Sequence, residues 1–89
     1  MKSRTTRRFR KAFAKLPSEI QQQAREAYRR FQEDPNHPGL RFKKVHPRKR
    51  IYSVRISTQY RALGVREGEE IVWFWIGSHD DYSELLKGR

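Results

Sequence analysis

Over the first forty residues, apolar positions recur at helical spacing. Phe9, Ala12, Phe13 and Leu16 share one side of a segment whose other positions are Arg7, Arg8, Arg10, Lys11 and Lys15, which predicts a basic helix from about Thr5 to Lys15. Leu16-Pro17-Ser18 interrupts the pattern. Ser18, with Gln21 three residues later, has the form of a capping box opening a second helix. Its apolar face is Ile20, Ala24, Ala27, Tyr28 and Phe31. Asp34-Pro35-Asn36-His37-Pro38-Gly39 should end it near Glu33, because prolines, glycine and Asx residues favour turns. The first forty residues therefore predict a helical hairpin.

From Leu40 the period shifts toward two, and β-branched and aromatic residues become common. Leu40 to Val45 is the first expected strand, followed by a basic loop from His46 to Arg50. In the next strand Tyr52, Val54 and Ile56 face one way and Ser53, Arg55 and Ser57 the other, the mark of one buried and one wet face. Tyr60 to Arg66 follows, Glu67-Gly68-Glu69 forms a hairpin turn, and Ile71 to Ile76 is apolar on both faces, as in a central strand. Gly77 to Asp81 should leave the sheet, and Tyr82 to Lys87 should add one helical turn. The expected class is α+β: an N-terminal helical hairpin packed on one face of a small, mainly antiparallel sheet of three or four strands, with the other face open to a ligand. No internal repeat, low-complexity tract or linker interrupts residues 1–89, which read as one domain.

Length agrees, since 89 residues suit one small domain and exclude two. Charge narrows the partner: 21 Lys and Arg against 10 Asp and Glu leave a net +11, a strong bias toward anions. Arginines outnumber lysines two to one. The guanidinium forks two donors onto a phosphate and stacks on bases, which favours a nucleic acid over an anionic membrane. The absence of cysteine excludes disulfides, a thiolate nucleophile and Cys-rich zinc sites. The basic start lacks the apolar stretch of a signal peptide, and the run Ile71 to Ile76 is far too short to span a membrane, so a cytosolic protein is expected.

Four residues stand out as candidate chemistry. Arg55 projects from the wet strand face, and Arg61 follows on the neighbouring strand. Two guanidinium groups could then meet one phosphate, although the apolar face-mates Leu63 and Val65 leave Arg61 the alternative of packing beneath them. At the end of the last strand, His79 and Tyr82 place an imidazole and a phenol three residues apart. Cleavage of RNA by its own 2′-hydroxyl needs that hydroxyl deprotonated, charge on the phosphate stabilised and the leaving 5′-oxygen protonated. His, Tyr and paired Arg supply those roles without a metal or cofactor, while a strand end capped by His79 and a core filled by Tyr82 is the competing structural reading. Lys43, Lys44, His46, Arg48, Lys49 and Arg50 form a basic approach to the strand face, with His46 a second candidate for proton transfer. His37, between prolines, reads as a surface loop residue. Asp80 and Asp81 with His79 make a poor metal site, lacking a second cluster of hard ligands. Ser78-His79 is not a hydrolase pair, because neighbours on a strand point to opposite faces. Trp73, Phe74 and Trp75 read mainly as core, with at most one indole reaching the open face as a base-stacking platform.

The hairpin phrase FRKAFAKLPSEIQQQAREAYRRFQEDP, the strand pair YSVRISTQYRALGV and the ending WFWIGSHDDYSELL, in this order and spacing, resemble the RelE/ParE superfamily of toxins from bacterial toxin–antitoxin pairs. The resemblance spans nearly the whole chain. It implies a twisted sheet backed by the hairpin and a cognate antitoxin as partner. In the ribonuclease branch it also implies entry of the concave sheet face into the ribosomal A site, where messenger RNA is cut. Carried over by position, Arg61 matches an arginine after the strand-turn tyrosine, Arg55 a basic position of the preceding strand, His79 a position held by arginine or histidine, and Tyr82 a following tyrosine. Lys44 and His46 lie where several members place further catalytic groups. Two departures matter. Members usually open with a short hydrophobic strand, whereas Met1 to Thr6 is polar, so that strand is expected to be absent or irregular. Ser53 and Ser57 stand where the most basic members carry Lys or Arg. The other branch inhibits DNA gyrase without cutting RNA, and a non-catalytic RNA-binding relative is a third alternative.

Overall fold

The computed structural model describes residues 1–87. The chain forms β1 (Lys2–Thr5), α1 (Arg7–Ala14), α2 (Ser18–Glu33), a 3₁₀ turn (Pro38–Leu40), β2 (Lys43–Lys44), β3 (Ile51–Arg55), β4 (Tyr60–Glu67), β5 (Glu70–Ser78) and α3 (His79–Lys87). The five strands make one sheet in the order β1-β5-β4-β3-β2. All neighbours are antiparallel except β1, which runs parallel to β5.

Strand β1 corrects the expectation drawn from its polar sequence. Its stability comes from backbone pairing: Lys2 N donates to the Glu69 carbonyl and Thr6 N to the Trp73 carbonyl, each at 3.0 Å. An edge strand needs little apolar surface, and exposed charges such as Lys2 and Arg4 discourage further pairing with another chain. Arg4 also reaches Glu70 in a salt bridge of 3.0 Å.

The hairpin forms as predicted, with different joints. Thr6 caps α1 by accepting the Phe9 N–H at 3.1 Å. The expected capping box at α2 is absent, because the cap position falls on Pro17, which offers no side-chain acceptor. Gln21 instead turns back and donates its amide to the Phe13 and Leu16 carbonyls, each at 3.1 Å. It thereby ties the first turn of α2 to the end of α1 and the joint that follows it.

One face of the sheet packs under the hairpin. Ala24, Ala27 and Phe31 from α2 meet Val54, Ala62, Ile71, Trp73 and Ile76, with Leu40 closing one end. Phe31 meets Phe42 and Trp73 edge-on, at centroid separations of 5.0 and 5.3 Å. Gly64 permits this closeness, since a Cβ there would lie 2.8 Å from both the Ile71 and Trp73 side chains. A cleft of about 330 Å³ remains on this side, lined by Phe9, Phe13, Tyr28 and Trp73 among others.

Three other boundaries differ from expectation. Leu40 to Val45 yields only the two-residue β2, because Leu40 is drawn into the core at the end of the 3₁₀ turn and Arg41 adopts a left-handed conformation. Strand β3 stops at Arg55, and residues 56–59 form the turn into β4. Strand β5 runs on to Ser78, and α3 starts at His79 rather than Tyr82. This helix lies on the second face, so that face is partly covered rather than wholly open. Tyr82 is buried there, its hydroxyl donating to Ser53 Oγ at 3.4 Å.

Candidate functional site

Strand pairing decides where the arginines go. Arg55 is the cross-strand partner of Arg61, one step beyond the core pair Val54 and Ala62, so both arginines belong to the second face. On β5 the partner of Arg61 is Gly77, and the Trp75 ring lies across that glycine. A Cβ at Gly77 would sit 2.7 Å from the indole. Of the two indoles, Trp73 is buried with the helices and Trp75 is half-buried on the arginine face, in agreement with the expectation of at most one.

The Arg61 guanidinium donates to the Ser57 carbonyl, to Tyr60 O at 3.0 Å and to Thr58 O at 3.4 Å, gripping the turn between β3 and β4. Arg55 donates to Thr58 Oγ1 at 3.2 Å. Burial, and after it the neighbouring Arg55 charge, hold Arg61 below the usual arginine pKa; Tyr82 pulls the other way, and Arg41 adds the smallest downward contribution. It stays protonated at neutral pH. A base whose folded pKa is lowered makes the charged form cost folding free energy at every pH below that pKa, so at neutral pH this charge opposes folding. Among the described residues the one salt bridge is Arg4–Glu70, and neither Arg55 nor Arg61 has a carboxylate partner.

The start of α3 brings the other two candidates to this end of the sheet. His79 N donates to the Gln59 carbonyl at 2.6 Å, tying the helix to the turn that Arg61 grips. Ser78 Oγ accepts the Asp81 N–H at 3.2 Å as a helix cap. The His79 ring is exposed, with its centroid 5.8 Å from that of buried Tyr82. Tyr82 is 6.5 Å from Trp75 by the same measure. Arg55, Arg61, His79 and Tyr82 thus share one end of one face, with the imidazole open to solvent and the phenol anchored on Ser53.

The basic loop lies elsewhere. His46 to Arg50 joins β2 to the start of β3, whereas Arg55 ends β3, about 13 Å along the strand by rise per residue. His46 Nδ1 accepts the N–H groups of Arg48 and Lys49 at 3.1 and 3.0 Å, which leaves only Nε2 free for other partners. Lys43, paired with Ser53, shares the arginine face; Lys44, paired with Tyr52, shares the helix face. Arg48, Lys49 and Arg50 are exposed, and His37 is an exposed loop residue that accepts the Gly39 N–H. Sequence reading missed Arg41, whose charge is felt at Arg61; nothing in the local pattern marks it, since Gly39 nearby looks the natural residue for a left-handed turn. Among the described residues no three His, Asp or Glu side chains cluster as metal ligands, and no helix is long and apolar enough to cross a membrane.

Comparison with known proteins agrees with this architecture. Residues 18–84 match the ParE-like toxin domain model, and the chain belongs to that family of toxins. Similar solved structures include a chain of the RelB–RelE antitoxin–toxin complex from Methanococcus jannaschii, with 17% identity, a TM-score of 0.69 and coverage of 91% of this chain and 95% of that one. The YoeB/ParE toxin from Agrobacterium tumefaciens has 13% identity and a TM-score of 0.68, over 89% of this chain and 99% of its own. The isolated E. coli RelE toxin has 20% identity and a TM-score of 0.66, over 98% of this chain and 96% of its own. At these identities the likeness establishes the RelE-like fold. No curated protein matches in sequence.

Proposed function

We propose that the chain is the toxin of a toxin–antitoxin pair and cuts messenger RNA on the ribosome by metal-independent transesterification. The observation that supports this best is the facing pair Arg55 and Arg61, without a carboxylate partner, beside His79 and Tyr82. In the reaction the 2′-oxygen bonds to phosphorus, the bond from phosphorus to the 5′-oxygen breaks, and a 2′,3′-cyclic phosphate and a free 5′-hydroxyl result. Arg55 and Arg61 stabilise the charge that grows on the phosphate. His79 and Tyr82 exchange the two protons, one leaving the 2′-hydroxyl and one reaching the 5′-oxygen. Lys43, His46, Arg48, Lys49 and Arg50 hold RNA or ribosome backbone farther along the sheet, giving a salt-sensitive, sequence-independent share of affinity, while Lys44, on the helix face, stands outside that surface. A cognate antitoxin is supported by the antitoxin–toxin complexes among the similar structures. The proposed action on ribosomes goes with a cytoplasmic protein.

A second reading, inhibition of DNA gyrase without RNA cleavage, is favoured by the ParE-like family match and by the commitment of the Tyr82 hydroxyl to Ser53. Cleavage mapping of a defined message in a reconstituted translation system separates the two. The ribonuclease reading predicts cuts that require ribosomes and survive chelator. Intact message, together with loss of supercoiling activity when gyrase is present, would establish the second reading.

A further inference from the structure

We infer that the Trp75 indole is a stacking platform for a nucleobase of the bound strand, placed beside Arg55 and Arg61 by a bulge in β5. This rests on the reading of Arg55 and Arg61 as a phosphate site.

The strand comes first. Leu63 pairs with Trp75 and Gly64 with Trp73, so Phe74 is an extra residue that opposes nothing on β4. Strict alternation from Ile71 and Trp73, both buried against the helices, would send Trp75 to that same core and Ile76 to the other face. The bulge reverses the order. Ile76 enters the core opposite Ala62, and Trp75 turns to the arginine face. Bulges are over-represented beside active sites, where they re-aim a side chain at the cost of a local break in pairing.

A glycine then sets the ring. Arg55, Arg61 and Gly77 lie level across three neighbouring strands. The six-membered ring of the indole covers Gly77, with Cζ2 and Cη2 2.7 and 2.9 Å from where a Cβ would stand. A side chain at position 77 would displace it. The ring is thereby held one strand away from Arg61, about 5 Å in backbone spacing. Leu63 and Tyr82 on this face are buried, whereas Trp75 keeps part of its surface in water. A nucleotide whose phosphate sits on the two guanidinium groups carries its base within reach of that surface. Every base has a π face, so such a platform adds affinity without choosing a sequence.

The test follows tryptophan fluorescence while the protein binds a single-stranded RNA oligonucleotide with 2′-O-methyl groups, which block cleavage, and a matched oligomer lacking the bases. Trp73, 3% exposed on the opposite face, is out of reach, so quenching reports on Trp75. The base-bearing strand is expected to quench the wild type, and the abasic one to bind without quenching. Trp75→Leu should bind the base-bearing strand about 5- to 150-fold more weakly and the abasic one like the wild type. Its slope of log K against log salt should not change, since stacking neutralises no phosphate. Trp75→Phe, with a smaller ring, should fall between. Arg61→Ala is the reference for the phosphate, and its slope should drop by about 0.7. Absence of quenching by a base-bearing strand that binds, equal quenching by the abasic oligomer, or equal weakening of both oligomers in Trp75→Leu overturns the platform alone. Wild-type slope in Arg61→Ala, or no binding by the wild type, overturns the phosphate site itself.

Discussion

Val54, Ala62, Trp73 and Ile76 face two helices across a dense apolar layer, while Ser53, Arg55, Arg61 and Gly77, on the same strands, face outward beside one short helix. The difference follows from side-chain alternation along a strand. Burial on the helix face stabilises the fold, whereas the arginine face gathers like charge that opposes it. A chain of this size has room for only one real core. The second face can therefore hold an electrostatically unfavourable cluster because the first supplies the stability. Substitutions on the two faces should separate stability from activity.

The largest expected effect is on the helix face. Phe31, 1% exposed and in edge contact with Phe42 and Trp73, should cost about 3–5 kcal/mol when replaced by Ala. Urea unfolding measures this, and a cost below about 1 kcal/mol would remove the helix face as the seat of stability. Gly64→Ala should cost about 1–3 kcal/mol by overpacking against Trp73 and Ile71, again by denaturant midpoint. On the other face, Tyr82→Phe removes one long hydrogen bond to Ser53 and should cost no more than about 1 kcal/mol in stability. Its cleavage rate separates two roles: a fall of about 100-fold or more marks the phenol as a proton carrier, and an unchanged rate reduces Tyr82 to an anchor for α3. The smallest effect belongs to Arg4→Ala. Its exposed pair with Glu70 should contribute about 0.2–1 kcal/mol, lost in high salt, so a larger loss in thermal denaturation would mean that β1 depends on that ion pair.

The sequence was legible where a period carried the information. Helical spacing placed the hairpin, and alternation in residues 52–56 put Val54 inward and Arg55 outward. It failed where backbone or distant partners decide. β1 pairs through its main chain, which a polar sequence does not reveal. Ser18 lost its cap because Pro17 took the cap position, and Gln21 found acceptors in the preceding helix. Parity left Arg61 ambiguous because Leu63, on the same face, is itself buried, with Trp75 as its partner on β5; register with Arg55 resolves it. The basic loop looked continuous with the site in sequence, yet the length of β3 separates them. Arg41 could be found only from its conformation and its neighbours.

The proposed ribonuclease activity makes His79 a proton-exchanging group on the arginine face, and single-turnover cleavage by His79→Ala on programmed ribosomes, with ribosome binding followed in parallel, tests that role. His79 is exposed, and its tie to Gln59 is made by the backbone, so the substitution should leave the fold and ribosome affinity near wild type. Cleavage should fall by about 100-fold or more at unchanged binding. Equal losses of cleavage and binding, or a cleavage rate like that of the wild type, would contradict that role.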